Sequence, residues 1–501
     1  MSAKTLMIQG TGSSVGKSIM VAALCRIMRQ DGFHVAPFKS QNMALNSFVT
    51  KEGHEMGRAQ VVQAEAAGLE PHVDMNPVLL KPEADAKSQV VVMGKPWKTV
   101  SARDYYKYTP QLFPIVEQSF DRLRSQYDVV VIEGAGSPAE INLRRFEIVN
   151  MGMAKLARSP VLLVGDIDKG GVFASLVGTV VLLEEDERAL IKGFIINKFR
   201  GDVSILKPGL DYLEEYTGNS VLGVVPYYHD IIINEEDSVH RAGNDGKEPQ
   251  VDIAVIYLPR ISNSTDFEPL QQEAGVRLRY ITTSWQLGSP NLIIIPGSKS
   301  TVSDLNHLKE SGLAQAITEK AKTGTPVIGI CGGFQMLGKG IEDPECVESD
   351  EKNVEGLGLL DITTTFEGEK TTHQVTASVA SDEGLFAGLA GETLTGYEIH
   401  MGQTRCGNVA SAFKITQRSG GGDDHFDGAI GQDGKVFGTY LHGLFDSEQF
   451  RRTLLRNVKP GYRPDETGSQ LPSKEEQYDK LANLVRESLD IEQIYRICGI
   501  R

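Results

Sequence analysis

The chain has 501 residues, room for two to four domains at roughly 150 residues each. Hydrophobic residues make up 40% and charged residues 23%, which excludes a chain too polar to bury a core. Against 51 Lys and Arg stand 66 Asp and Glu, a formal charge of −15, so a nucleic-acid partner is not expected and any anion must be held by a local device.

The N-terminal residues reach Gly10 before any apolar stretch long enough for a secretory signal. No apolar run approaches the ~20 residues of a membrane span. The five cysteines (Cys25, Cys331, Cys346, Cys406 and Cys498) show no paired spacing. A sparse, odd count points to a reducing compartment, so a cytoplasmic protein is expected.

In the first half, short apolar runs at residues 5–9, 34–38, 128–132, 161–164, 193–196 and 221–225 read as buried strands. Amphipathic stretches such as 18–30 lie between several of them. Strands alternating with helices predict an α/β fold: a mostly parallel sheet with helices on both faces. Residues 1–233 form this first domain.

Gly10 to Ser18 (GTGSSVGKS) follows the first strand and opens the first helix. Backbone N–H groups from Gly10, Thr11, Gly12, Ser13 and Gly16, with the helix N-terminus, make a pocket for phosphate oxygens. Lys17 reaches the β/γ phosphates of ATP and the Ser18 hydroxyl holds Mg²⁺. The usual spacing puts glycine where Thr11 stands, so the loop is a lengthened variant. Asp166 and Asp168 end another strand; they hold metal, orient substrate, or cap the loop before Gly170.

Residues 234–250 are polar and read as a linker. A second α/β pattern follows over 251–445, with strands expected at 252–258, 291–295, 326–330 and 436–440. The glycine run 420–422 is expected in a mobile loop. The tail, 446–501, is expected to end in one helix over 474–498.

Gly329-Ile-Cys331-Gly-Gly333 fits a nucleophile elbow on a strand-to-helix turn. Flanking glycines permit the sharp turn, and the N–H of Gly332 can donate to an oxyanion. Gly297, at another strand end, offers a second N–H. The cysteine needs a base, and His442 and His400 both stand downstream near predicted strand ends.

The phosphate loop resembles that of dethiobiotin synthetase and its relatives, which activate carboxylates with ATP. That resemblance implies a second phosphate-facing lysine at Lys39 and a Mg²⁺-side carboxylate at Glu133. The elbow, with the later Thr-Tyr-Leu-His442-Gly, resembles the class I glutamine amidotransferases, which favours His442 as the base. Most of that class carry a Glu two residues after the histidine, where Leu444 stands here. The third triad member is then absent or comes from elsewhere, as in the cobalamin-pathway branch.

Segments along almost the whole chain resemble the cobyric acid synthases: 40–46 (SQNMALN), 57–60 (GRAQ), 75–82 (MNPVLLKP), 132–142, 166–173, 197–202 (NKFRGD), 296–301 and 396–402. The resemblance implies ATP- and glutamine-dependent amidation of the b, d, e and g carboxylates of adenosylcobyrinic acid a,c-diamide. The implied partners are the small molecules ATP, L-glutamine and a corrinoid carboxylate. Mg²⁺ is the implied ion, with no tightly bound organic cofactor and an ammonia tunnel between the domains. Gln41, Asn42, Arg58 and Gln60 either bind the corrin periphery or make structural hydrogen bonds. The competing readings are amidation of a different carboxylate, or a P-loop switch ATPase with a vestigial cysteine domain.

Overall fold

The structure, a computed structural model, describes residues 3–84, 86–228, 231, 233, 249–463 and 473–500. Apart from 249 and 250, the expected linker lies outside the described residues.

The first half is built on a six-stranded parallel sheet. Its order is Ser220–Pro226, Ile191–Phe199, Val161–Asp166, Lys4–Gly10, Val129–Glu133, Val35–Phe38. Side chains alternate between two cores: Leu6 and Ile8 enter one, Met7 the other. A sheet covered on both faces explains why its strands read as unbroken apolar runs. Register places Ile8 beside Glu133 and Gly10 beside Val164, so three strand ends that carry polar groups converge. A small sheet of Gln41–Met43, Val78–Ala84, Lys87–Val92 and Lys95–Ser101 stands beside it.

The second half has its own sheet, ordered Val276–Ile281, Val251–Ile256, Leu292–Ile295, Val327–Ile330, Val436–Thr439, Ala429–Ile430, all parallel except the last. Each half is thus α/β on a mostly parallel sheet. A further, largely antiparallel sheet contains the long pair Ile362–Val379 and Thr393–Cys406.

Two expectations change. The glycine run is not a loop: Ser419 and Gly420, both at positive φ, make a two-residue turn, and Gly421 and Gly422 pair with Arg418 and Gln417 in a hairpin. The tail is not one helix but two, Lys474–Ser488 and Ile491–Cys498. The break comes from tertiary pairing, because the Asp490 N–H donates to the Leu222 carbonyl at 2.8 Å. The Asp490 side chain then caps the second helix at Gln493.

The tail packs on the first half. Arg26 of the helix Lys17–Gln30 pairs with Glu475 (2.6 Å) and Asp479 (2.8 Å), and the buried Tyr495 donates to Asp31 at 2.6 Å. The helix Glu448–Val458 instead joins the second core through Phe450, Leu454 and Leu455. Polar contacts tie the halves together. The Ser47 N–H donates to Asn263 Oδ1 (3.0 Å), and the Ser264 N–H donates to Asn46 Oδ1 (3.0 Å). Lys299 pairs with Glu83 (2.6 Å), and Glu55 pairs with both Lys81 and Lys370 (2.5 Å each). No helix among the described residues is long and apolar enough to cross a membrane.

Candidate functional sites

A cavity of about 430 Å³ opens at the C-terminal ends of the first sheet, where ligands sit in open α/β sheets. Ser13, Ser14, Gly16, Lys17 and Ser18 of the glycine-rich loop line it. Gly16 takes φ 99°, and a Cβ there would stand 2.2 Å from the Asn197 amide, so only glycine lets the loop turn into the helix. Asn197 and Lys198 brace the loop, donating to the carbonyls of Val15 (2.9 Å) and Ser14 (2.7 Å). The Thr11 N–H is committed to Val164 O at 3.0 Å and so extends the sheet. Gly10 and Gly12 do not line the cavity, and the Gly12 carbonyl accepts from Lys17 Nζ at 2.7 Å.

Glu133 is the hub of this site. Its Oε1 accepts from Ser18 Oγ (2.8 Å) and Lys39 Nζ (2.9 Å), and its Oε2 from Gln63 Nε2 (2.5 Å). Burial works against its charge, but the Lys39 ammonium and these hydrogen bonds outweigh it and hold the carboxyl below the usual range. Gln63 Oε1 is buried and has no hydrogen-bond partner. Gln41 and Asn42 line the cavity; Gln41 accepts from Tyr105 (2.5 Å), and Asn42 donates to Gln60 (2.9 Å), which itself reaches Glu133 (3.4 Å).

Three sequence candidates lie elsewhere. Asp166 and Asp168 do not line the cavity; they pair with Lys198 (3.5 Å) and Arg200 (2.8 Å). Arg58 faces a separate crevice shared with Glu65, Glu268 and Asp446, its guanidinium 5.3 Å from the Phe48 ring.

The second site sits where Val327–Ile330 turns into the short helix Gly332–Leu337. Cys331 takes φ 53° and ψ −110°, a strained positive-φ conformation rare outside glycine. A Cβ on Gly333 would lie 2.0 Å from the Ile295 carbonyl, so glycine is what allows the helix to start against the neighbouring strand. The backbone nitrogen of Ser298 stands 2.9 Å from where a Cβ on Gly332 would lie. The backbone nitrogen beside the elbow is thus that of Ser298. Gly297 instead faces His442, whose Cε1 is 3.6 Å from the Cβ position.

His442 is fully buried and interacts with the Cys331 side chain. Its Nδ1 lies 2.6 Å from Asp266 Oδ2, while the Gly443 N–H donates to Asp266 Oδ1 at 3.2 Å. Burial alone would lower the imidazole pKa; Asp266 and then Cys331 reverse this and raise it to about 10. Asp266, on the short turn Ser264–Phe267, thus stands in the third position of a triad that the sequence left open. Its signal is faint, an acid in a polar turn 176 residues before its partner. His400 has a different environment: it stacks on Tyr440 at 3.7 Å, and burial pushes it down to about 3.

Residues 252–450 match the CobB/CobQ-like glutamine amidotransferase domain, and residues 6–239 match the CobQ/CobB/MinD/ParA nucleotide-binding domain. The class is therefore a nucleotide-binding domain joined to a glutaminase domain, a glutamine-dependent amide ligase. Cobyric acid synthase of Dehalococcoides mccartyi is 55% identical over 504 residues, covering 100% of both chains. That of Sorangium cellulosum is 53% identical, covering 100% of this chain and 99% of its own. The chain belongs to the cobyric acid synthase family. Among solved structures, PurLQS from Thermotoga maritima matches with a TM-score of 0.33 at 19% identity, over 42% of this chain and 98% of that one.

Proposed function

We propose that the protein amidates the b, d, e and g carboxylates of adenosylcobyrinic acid a,c-diamide in cobalamin biosynthesis, using one ATP and one glutamine for each. Full-length identity to cobyric acid synthases supports the substrate. The observation that carries the chemistry is Cys331, strained at a strand–helix turn, in one buried cluster with His442 and Asp266.

In this reading the Cys331 sulfur attacks the side-chain carboxamide carbon of glutamine. The N–H groups of Gly332 and Ser298 receive the oxyanion. His442, held as imidazolium by Asp266, gives its proton to the departing ammonia, and water then hydrolyses the thioester. At the other site Lys17 and Lys39 hold the nucleotide phosphates while the substrate carboxylate takes the γ-phosphoryl group; ammonia displaces phosphate to leave the amide. The oxygens of Ser18, Glu133 and Gln63 are the hard ligands Mg²⁺ prefers, and Mg²⁺ bound there would neutralise phosphate charge.

Mass spectrometry of the a,c-diamide incubated with ATP, Mg²⁺ and glutamine tests the reading: four successive losses of ~1 Da are expected, since each cycle replaces OH with NH₂. No amide product overturns it. Cys331→Ala should abolish glutamine-dependent amidation and spare the ammonia-dependent reaction; Lys17→Ala should abolish both.

A further inference from the structure

The cavity lined by Cys331 carries charges that the chemistry at the sulfur does not use. Lys81, Lys299 and Lys370 line it, and Glu348 is the one acid among its described lining residues. Lys81 donates to Ser47 Oγ (3.0 Å) and Glu55 (2.5 Å), and Lys299 donates to Glu83 (2.6 Å). Lys370 makes one hydrogen bond among the described residues, to Glu55 at 2.5 Å, although its side chain is only 9% exposed. An ammonium has three N–H bonds, so two are left for the cavity. The register of the strand pair Ile362–Val379 and Thr393–Cys406 slips between Thr365 and Lys370, an irregularity of the kind that re-aims a side chain.

Glu348 is anchored from the other side of the cavity. Its Oε1 accepts the Val302 N–H at 2.9 Å, at the start of the helix Thr301–Glu310. Burial pushes its carboxyl up to about 7, and burial pushes the Lys370 ammonium down to about 8. Each shift has the sign of a charge with too little counter-charge beside it. Glutamine carries, besides its carboxamide, an ammonium and a carboxylate on the α-carbon. Attack on the carboxamide needs neither of them. A cavity with one acid and one ammonium with spare N–H bonds is nevertheless complementary to that pair.

We propose that Glu348 and Lys370 bind the α-ammonium and the α-carboxylate of glutamine, and so restrict the Cys331 site to the amide of a free amino acid. The reaction itself gives the restriction a purpose, because the corrinoid products are primary carboxamides too. A product amide brings no zwitterion, so its entry would leave the two enclosed charges unpaired. The enzyme thereby spares the amides it has just made. This inference rests on the reading of Cys331 and His442 as the glutaminase centre and of corrinoid carboxylates as the acceptors.

The test uses two truncated glutamines as competitive inhibitors of glutamine hydrolysis by the full chain. 4-Aminobutanamide keeps the ammonium and lacks the α-carboxylate; 4-carbamoylbutanoate keeps the carboxylate and lacks the ammonium. Glu348→Gln should raise the KM for glutamine and the inhibition constant of 4-aminobutanamide roughly 30-fold, the scale of a hydrogen bond between charged groups, and leave 4-carbamoylbutanoate within about threefold. Lys370→Met should do the reverse, weakening 4-carbamoylbutanoate roughly 30-fold and leaving 4-aminobutanamide within about threefold. Loss of structure would weaken both inhibitors together, so the crossed pattern is specific to the contacts. Variants that weaken both inhibitors equally, neither of them, or each the wrong one overturn the proposal. Cys331→Ala separates this inference from the reading beneath it: if that variant still hydrolyses glutamine, the assignment of the centre fails, and if it is inactive while the crossed pattern is missing, only the assignment of Glu348 and Lys370 fails.

Discussion

Asp266→Asn is the most exacting test of the triad. Raising an imidazole from 6.5 to about 10 corresponds to about 5 kcal/mol in favour of imidazolium, at ~1.4 kcal/mol per pKa unit. Asp266 is the largest favourable contributor, ahead of Cys331. A hydrogen bond between charged partners is worth about 2–3 kcal/mol, so its loss lowers glutamine-dependent kcat by roughly 30- to 150-fold. Asparagine keeps the shape, and its carbonyl can still take the Gly443 N–H now bound at 3.2 Å. Its NH₂ then faces Nδ1 and selects the wrong tautomer. The wild-type imidazole keeps its proton until pH nears about 10. In the variant burial is opposed by Cys331 alone, and the alkaline limb of the glutamine-dependent rate moves to lower pH. Stability follows the same sign: a raised folded value stabilises the fold fully below 6.5, and that contribution is lost as pH rises toward about 10. Urea melts across this window should slope in the wild type and much less in the variant. A glutamine-dependent rate within about threefold of wild type, with the alkaline limb unmoved, would refute the assignment.

Glu133→Gln strands the buried Lys39 ammonium, so the first half should lose about 3–5 kcal/mol in a denaturant melt. Amidation should vanish with either nitrogen source while glutamine hydrolysis persists. Gly333→Ala forces a methyl group into the Ile295 carbonyl, at a cost of about 1–3 kcal/mol; glutamine-dependent turnover should fall at least roughly tenfold, with ammonia-dependent amidation retained. Tyr495→Ala empties a fully buried site under the helix Lys17–Gln30 and should cost about 3–5 kcal/mol. Saturating nucleotide should raise the Tm of variant and wild type alike and leave the deficit nearly unchanged.

The parallel sheets were legible because both their faces are covered. Val129–Glu133 reads VVVIE and Leu292–Ile295 reads LIII, short β-branched runs of the kind a strand covered on both faces requires. The antiparallel pair was not: ITTTFEGEKTTHQVTASV and TLTGYEIHMGQTRC are half-exposed, rich in threonine and glycine, and carry no apolar run. The elbow and the phosphate loop were legible because glycine is demanded there by close approaches that other residues cannot make. Asp266 was not, since its distance along the chain from His442 bears no relation to its distance in space. The place two after His442 is filled by Leu444, which is buried in the second core, so a glutamate there would have to enter apolar packing.

The helix Arg58–Ala67 shows why a motif fixes position more firmly than role. Gln60 and Gln63, three apart and therefore on one face, both turn toward Glu133. Arg58 opens the same helix but turns to Phe48 and to acids from both halves. Burial works against its charge, yet Glu65, Tyr397, Asp446 and Glu268 raise its pKa above the usual range. The cation thus sits among acids drawn from both halves of the chain. Acids hold other cations of the chain in the same way. Lys39 is set against Glu133, Lys81 and Lys370 against Glu55, and Lys299 against Glu83. Each of these lysines is fixed in place by a carboxylate, so the acids beside the cationic groups help to build their sites rather than oppose them.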